Sequence, residues 1–425
     1  MCSDIMEAAP PPPTGWHRRT GNVLLCVLFS TALILPLCRF NAPGTVEHIE
    51  QVERRKANPF PTITMRKLGP IWRPSLASVN DFPSRLTQWF NDHVGFRKQL
   101  IGTYNIAKYY GLTPACLARA IGSSAAADGV VVGRNGWLFY NGARILEDFR
   151  CTSPFTTQEL QHWKAVLEAR RQWLARQGIH YVLLIGPNAQ TIYPEYMPRK
   201  ITRVGKQSRF DQLLAELQTV PGFDVIDVRD QLCEASEQYP TYFRTDTHWN
   251  QYGAFIGYQG LMNSLVRACP DLQPLTLSDF NIGQFDVDIS EGDLAKMLNS
   301  PIGIPDVTVD LKPKRKVRVQ VVNTDLPSMG TIARIATCRS GQAGTAVVFH
   351  DSFFNAIEPY FNTHWKRVHY VHTADFPAEV VTAEHPRVVV QEIVERQLMA
   401  PVPVNPPEVD RVLIDRLAQR PGSRQ

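Results

Sequence analysis

VVFHDSFFN, residues 347–355, is an apolar β-type run that ends in Asp351-Ser352. Open α/β sheets build their sites at the carboxyl ends of buried strands. This stretch therefore predicts a parallel sheet that presents a serine hydroxyl at its edge. A hydroxyl is a weak nucleophile at neutral pH; it needs a base, and the base needs a third group to fix its tautomer. RTDTHWNQYGA, residues 244–254, carries both on one short loop, with Asp246 two residues before His248 and a helical pattern following. Asp246, His248 and Ser352 are the candidate catalytic set.

The rest of the chain repeats the same rhythm around that strand. Thr156 and Glu159 have capping-box spacing ahead of a helix with Leu160, Trp163, Leu167 and Leu174 on one face, and Gly178 is its stop. HYVLLIGPN (180–188) and DVIDV (224–228) read as strands, residues 251–268 as a helix, and AVVFH (346–350), RVHYVH (367–372) and RVVVQEIVERQL (387–398) supply further strands. Short apolar strands alternating with amphipathic helices predict an α/β fold, a flavodoxin-like parallel sheet with helices on both faces. VVVGRNGWLFY (130–140) has a hairpin signature centred on Asn135-Gly136. Residues 270–340 break the rhythm and are expected to be an insertion. Within it, VTVDLKPKRKVRVQVV reads as an extra β-hairpin, and Lys312, Lys314, Arg315, Lys316 and Arg318 either attract a polyanion or guard a solvated edge.

Residues 21–38 carry no charge and follow Arg18 and Arg19, which predicts a transmembrane anchor or uncleaved signal with its N-terminus in the cytoplasm. The expected organisation is a cytoplasmic tail (1–20), this anchor (21–38), a juxtamembrane linker (39–78), the α/β domain (79–398) and a Pro-rich tail (399–425). Five of the eight cysteines, Cys116, Cys151, Cys233, Cys269 and Cys338, fall after the anchor, where up to two disulfides or buried free thiols are both open readings. No C-x-x-C pair occurs, so zinc-ribbon and thioredoxin chemistry have no support. Neither a metal nor a cofactor is expected. A formal charge of +5 over 425 residues is too small for a dedicated nucleic-acid binder.

Any acyl transfer from a serine also requires donors for the oxyanion of the tetrahedral intermediate. The N–H of Ser352 and Asn188, in the turn after the 180–186 strand, are the candidates, with Asp351, His350 and Trp249 as further oxyanion or substrate candidates. Trp249, Phe353 and Phe354 offer aromatic faces for stacking on a ligand, with a plain core role as the simpler reading.

FHDSFF, TDTHWN, GPNAQTIYPEYMP, GRNGWLFY and GDLAKML in this arrangement resemble the SGNH-hydrolase-like domain of alginate O-acetyltransferases, periplasmic proteins that acetylate exported polysaccharides. The resemblance implies that Ser352 accepts the acetyl group, His248 is the base and Asp246 orients it, with Asp-x-His ahead of Ser in the chain. It also implies an SGNH-type fold and a domain facing the periplasm or cell exterior. The implied partners are a polysaccharide acceptor and a membrane-bound O-acyltransferase that delivers acetyl groups. His350 stands where plain SGNH hydrolases carry the glycine of Gly-Asp-Ser. Ala189 stands where related sequences carry lysine. The alternatives are a carbohydrate acetyl esterase and a non-catalytic polysaccharide-binding scaffold.

Overall fold

The computed structural model describes residues 58–68, 71–93, 129–288, 292–298, 304–326 and 331–411. They belong to two compact units that divide the chain between residues 103 and 104. The expected anchor at 21–38 lies outside the described residues; among those described, no helix is long and apolar enough to cross a membrane.

In the first unit, β1 (Met65–Leu68) and β2 (Ile71–Pro74) pair antiparallel and α1 (Leu76–His93) follows. Ser78 of this helix accepts the Thr64 N–H at 2.7 Å, which ties the helix start to the hairpin.

The second unit opens with the expected hairpin, β3 (Val130–Val132) against β4 (Leu138–Tyr140). Asn135 and Gly136 both take positive φ, 53° and 78°, as a type I′ turn requires of its two central residues. The hairpin also holds the site from outside, because Leu138 N–H donates to the Arg244 carbonyl at 2.7 Å.

Seven strands then form the central sheet: β5 (His180–Gly186), β6 (Asp224–Asp227), β9 (Val319–Leu326), β10 (Thr331–Cys338), β11 (Ala343–His350), β12 (Trp365–His372) and β13 (Val388–Val394). Their spatial order is β6-β5-β13-β11-β12-β10-β9. The first five are parallel, whereas β10 and β9 extend the sheet antiparallel. The expected all-parallel sheet is thus a mixed one. The reason lies in the connections: β9 and β10 are joined by a short link, which suits antiparallel neighbours, while the parallel strands are separated by helical crossovers. Counted from β11, the parallel strands read 2-1-3-4-5 across the sheet, the flavodoxin-type order, except that this chain supplies strands 4 and 5 first.

Alternate residues of each parallel strand feed opposite faces. Val182, Leu184, Val348 and Val390 pack with Tyr258, Leu261 and Leu265 of the helix Gln251–Ala268. Leu183, Val347, Phe349 and Val389 pack on the other face with Trp163, Leu167 and Leu174 of Thr157–Ala175 and Leu213 of Arg209–Gln218. Packing on this face continues past residue 398, since Val409 is buried there and Asn405 accepts the Arg170 guanidinium at 2.6 Å.

The insertion pairs differently from the sequence expectation. β8 (Pro305–Pro313) joins β7 (Phe280–Asp288) in a separate two-stranded sheet, and β9 joins β10. Residues 307–322 are therefore two strands of different sheets, and 314–318 is the crossing between them. All four described cysteines, Cys151, Cys233, Cys269 and Cys338, are free.

The capping box forms as read. Thr156 Oγ1 accepts the Glu159 N–H at 3.2 Å and Glu159 returns the bond to Thr156 N–H at 2.8 Å. Thr156→Ala is expected to lower stability by about 1 kcal/mol, measured by chemical denaturation, without changing the kinetics of any Ser352-dependent reaction.

Candidate functional site

Ser352 opens a 3-10 turn, Ser352–Ala356, directly after β11. The position is the point where the parallel strand order reverses, between β11 and β13. Asp351 fixes the turn. Its carboxylate accepts the Phe353 N–H at 2.9 Å and the Val394 N–H at 2.7 Å, and its own N–H donates to Glu392 at 3.1 Å. As first residue of the turn, Ser352 has an N–H with no intrahelical acceptor.

The 244–250 loop comes to the same edge. It is closed on itself by pairing of Tyr242 with Trp249 and by the Asn250 N–H donating to the Thr241 carbonyl at 3.0 Å. Asn250 then caps the following helix by accepting the Gly253 N–H. Buried Asp306 of β8 holds the start of the loop, accepting the N–H groups of Arg244 and Thr245 and the Thr245 hydroxyl.

The two segments meet at His248. Its Nε2 lies 2.7 Å from Ser352 Oγ and its Nδ1 lies 2.6 Å from Asp246 Oδ1. With the proton on Nδ1 donated to Asp246, Nε2 is free to accept from the serine hydroxyl. Asp246 Oδ1 also accepts the His248 N–H, and Oδ2 accepts the Asp293 N–H, each at 3.0 Å. Burial pushes the Asp246 carboxyl up, but these hydrogen bonds outweigh it and hold it below the ordinary carboxylate range.

Asp293 is a site neighbour that the sequence reading quoted in GDLAKML without assigning it a role. It sits at the start of the short helix Asp293–Met297, accepts the Thr247 N–H at 2.8 Å and the Thr247 hydroxyl, and places Oδ2 3.9 Å from His248 Nδ1. Burial and the charge of Asp246 push its carboxyl up. The glycine of the motif is explained by contact: a Cβ on Gly292 would lie 2.5 Å from the Thr245 carbonyl oxygen. Asp246, His248 and Asp293 are close enough to hold a metal ion, but the imidazole and both carboxylates are already engaged in hydrogen bonds.

Of the other candidates, Asn188 reaches the edge in the turn after β5. It is buried; its N–H donates to Glu395 at 2.8 Å and its Oδ1 has no partner among the described residues. Trp249 does not face a substrate. It is 1% exposed and spends its indole N–H on the Phe353 carbonyl. His350 is equally buried, between Phe354 and Tyr370, so it lies behind the turn rather than in the site. Arg396 was not picked out from the sequence; its guanidinium lies over the Phe353 ring, 5.2 Å from the centroid.

Residues 130–328 match the family model described as SGNH hydrolase-like domain, acetyltransferase AlgX. The chain is 32% identical over 126 residues to the probable alginate O-acetylase AlgJ of Pseudomonas aeruginosa, covering 30% of each protein. It is 31% identical over 134 residues to the protein of the same name in Azotobacter vinelandii, covering 30% of this chain and 31% of that one. The solved O-acetyltransferase domain of Pseudomonas putida AlgJ is similar at 19% identity over 68% of this chain and 99% of that one, with a TM-score of 0.45. The matched stretch spans about a third of the length of the curated relatives. Four of the five motifs, GRNGWLFY, GPNAQTIYPEYMP, TDTHWN and GDLAKML, lie within the matched residues, and FHDSFF lies outside them. The family-model match includes Asp246, His248 and Asp293 and ends before Ser352.

Gly292→Ala is expected to displace the 244–250 loop and lower any Ser352-dependent turnover by about tenfold or more, while circular dichroism stays unchanged. Burial pushes the His350 imidazole down to about 4 from an ordinary 6.5. An unfolded chain takes up this proton near 6.5 and the folded one only near 4, so the contribution is complete above that window and is lost as pH falls through it. Denaturation midpoints measured from pH 7 to 4 are expected to fall less steeply for His350→Asn than for the wild type.

Proposed function

We propose that the chain, with its SGNH hydrolase-like domain of the acetyltransferase type, is an O-acetyltransferase that moves acetyl groups through Ser352 to hydroxyls of an exported polysaccharide. The observation that carries this reading is the unbroken line from Ser352 Oγ to His248 Nε2 at 2.7 Å and from His248 Nδ1 to Asp246 Oδ1 at 2.6 Å, at the sheet's switch point.

In the first step His248 Nε2 takes the Ser352 proton as Oγ attacks the acetyl carbonyl of the donor. The Ser352 N–H and the Asn188 side chain are the oxyanion donors of this reading. The imidazolium, held by Asp246, then protonates the departing donor group and leaves acetyl-Ser352. In the second step His248 takes the proton of a sugar hydroxyl, the sugar oxygen attacks the acetyl carbonyl, and collapse of the second tetrahedral intermediate returns the proton to Ser352 Oγ. Asp293 stays in place throughout, clamping Thr247 and adding negative charge beside the imidazole. A membrane-bound acyltransferase as the acetyl source, a single-pass anchor at 21–38 and a domain outside the cytoplasm complete the proposal. They follow from the family resemblance and the N-terminal sequence.

A carbohydrate esterase would share the first step and would give the second to water. A scaffold subunit has no use for the Ser-His-Asp line.

Intact-mass spectrometry of the purified full chain with p-nitrophenyl acetate tests the first step. One acetyl group mapped to Ser352 in the wild type, and absent in Ser352→Ala and His248→Ala, is the expected result. A folded wild type that gains no acetyl group and releases no acetate would overturn the enzyme reading. Acetate release that an added polysaccharide acceptor does not divert into acetylated product would favour the esterase.

A further inference from the structure

β13 (Val388–Val394) is buried along its whole length, and apart from Gln391 and Glu392 it consists of Val and Ile. Gln391 is employed on one face of the sheet, where its Oε1 accepts the Tyr181 hydroxyl at 2.5 Å and the Arg170 guanidinium at 2.8 Å. Glu392 lies opposite Leu184 of β5 on the other face and is fully buried. A Cβ on Gly186 would lie 3.2 Å from Glu392 Oε1 and 3.1 Å from the Phe353 ring, so β5 leaves this space to the carboxyl. A carboxyl in the middle of an apolar sheet is costly unless something holds it. The line from Asp246 to Ser352 makes no use of it.

What Glu392 touches is the turn that carries the nucleophile. Its Oε2 accepts the Asp351 N–H at 3.1 Å, and Asp351 Oδ2 accepts the Val394 N–H at 2.7 Å, which joins the ends of β11 and β13 in both directions. Asp351 Oδ1 accepts the Phe353 N–H at 2.9 Å. Ser352 is therefore held from both sides, through residues 351 and 353. No N–H or hydroxyl reaches Glu392 Oε1 among the described residues. Burial, the charge of Asp351 and a hydrogen bond between the two carboxyl groups push Glu392 well above the ordinary carboxylate range, against the opposing effects of the Asp351 N–H and Arg396. His350, beside it on β11, is kept uncharged by its own burial, and β5 brings Leu184 and Gly186 to the other side.

We propose that Glu392 is a positioning residue for Ser352. As a neutral acid it accepts the Asp351 N–H and donates its own proton to the Asp351 carboxylate, and the turn so tied keeps Ser352 Oγ in line with His248 Nε2. The inference rests on the acetyl-transfer reading for the reaction it serves, and Glu392 itself touches no substrate. An amide at this position offers the same acceptor and a donor in place of the acid proton. An apolar side chain of similar size fills the space but leaves the Asp351 N–H without its acceptor and the Asp351 carboxylate without a donor. An ionised Glu392 would set two negative charges side by side and loosen the turn.

The test uses the purified full chain, its Glu392→Gln variant and its Glu392→Leu variant. Two serine reagents, p-nitrophenyl acetate and phenylmethylsulfonyl fluoride, are followed by intact-mass spectrometry at neutral and mildly alkaline pH. Glu392→Gln is expected to modify Ser352 at the wild-type rate throughout. Glu392→Leu is expected to react roughly 10- to 100-fold more slowly with both reagents, the size of a small misplacement of a reacting group, with KM for the ester little changed. Its denaturation midpoint should equal or exceed that of the wild type, because an apolar replacement removes the cost of burying an acid. A side chain with a structural role alone would lose stability and reactivity together. Wild-type reactivity in Glu392→Leu would overturn the proposal, as would a Glu392→Gln as slow as Glu392→Leu. A wild type that outpaces Glu392→Gln as pH rises would also overturn it, by making the carboxylate the working form; this comparison stands even where Glu392→Leu does not fold. Sulfonylation that keeps the expected order while no sample forms acetyl-Ser352 is a failure of the transfer reading alone. A wild-type serine inert to both reagents overturns both.

Discussion

The Asp246 carboxylate is the joint on which the site turns. One oxygen takes both the backbone N–H and the ring nitrogen of His248, and the other takes the N–H of Asp293. A carboxylate that accepts several hydrogen bonds is held charged, and that charge selects the His248 tautomer whose Nε2 faces Ser352. The same group also closes the 244–250 loop onto the segment at 292–297, which comes from the insertion. The base is therefore positioned by a piece of chain that an unadorned doubly wound sheet would lack.

Topology explains why the serine comes last. In an open α/β sheet the useful position is the strand-order reversal, whichever end of the chain supplies it. Here β5 and β6 form the far side of the sheet first, the helix Gln251–Ala268 follows the His248 loop, and β11 then enters beside β13 and β12. Asp-x-His precedes Ser in sequence because the strands that open an ordinary 2-1-3-4-5 sheet are made last. The Asp of Asp-Ser is left with mechanical work. Asp351 ties the nucleophile's turn to Val394 on the neighbouring strand and takes no part in the line from Asp246 to Ser352.

Local signals in the sequence were strong where a few adjacent residues settle the conformation. The capping box at Thr156 and the positive-φ pair Asn135-Gly136 each need only their own neighbours, and each is where the sequence reading put it. Asp246, His248 and Ser352 were legible because two sit on one loop and the third ends a buried strand. Partner choice was not legible. The alternation in 307–322 is real strand patterning, but nothing in it says that its first half pairs backward with β7 and its second half forward with β10. Asp293 was hidden for the same reason: its contact with Asp246 spans 47 positions of chain and exists only once the insertion has folded over the loop.

His350 shows how a substituted motif position can be absorbed. A glycine before Asp-Ser leaves room near the turn, whereas His350 turns inward among Phe354, Tyr370 and His372, with Nδ1 2.6 Å from the Asp351 carbonyl. Burial disfavours its charged form. A neutral ring there packs like an aromatic side chain and puts no second positive charge behind the serine. His248 therefore stands beside two carboxylates, Asp246 and Asp293, with no competing imidazolium on the strand that carries the nucleophile. The side chain that departs from the Gly-Asp-Ser pattern contributes bulk to the core and leaves the electrostatics of the edge to the loop and the insertion.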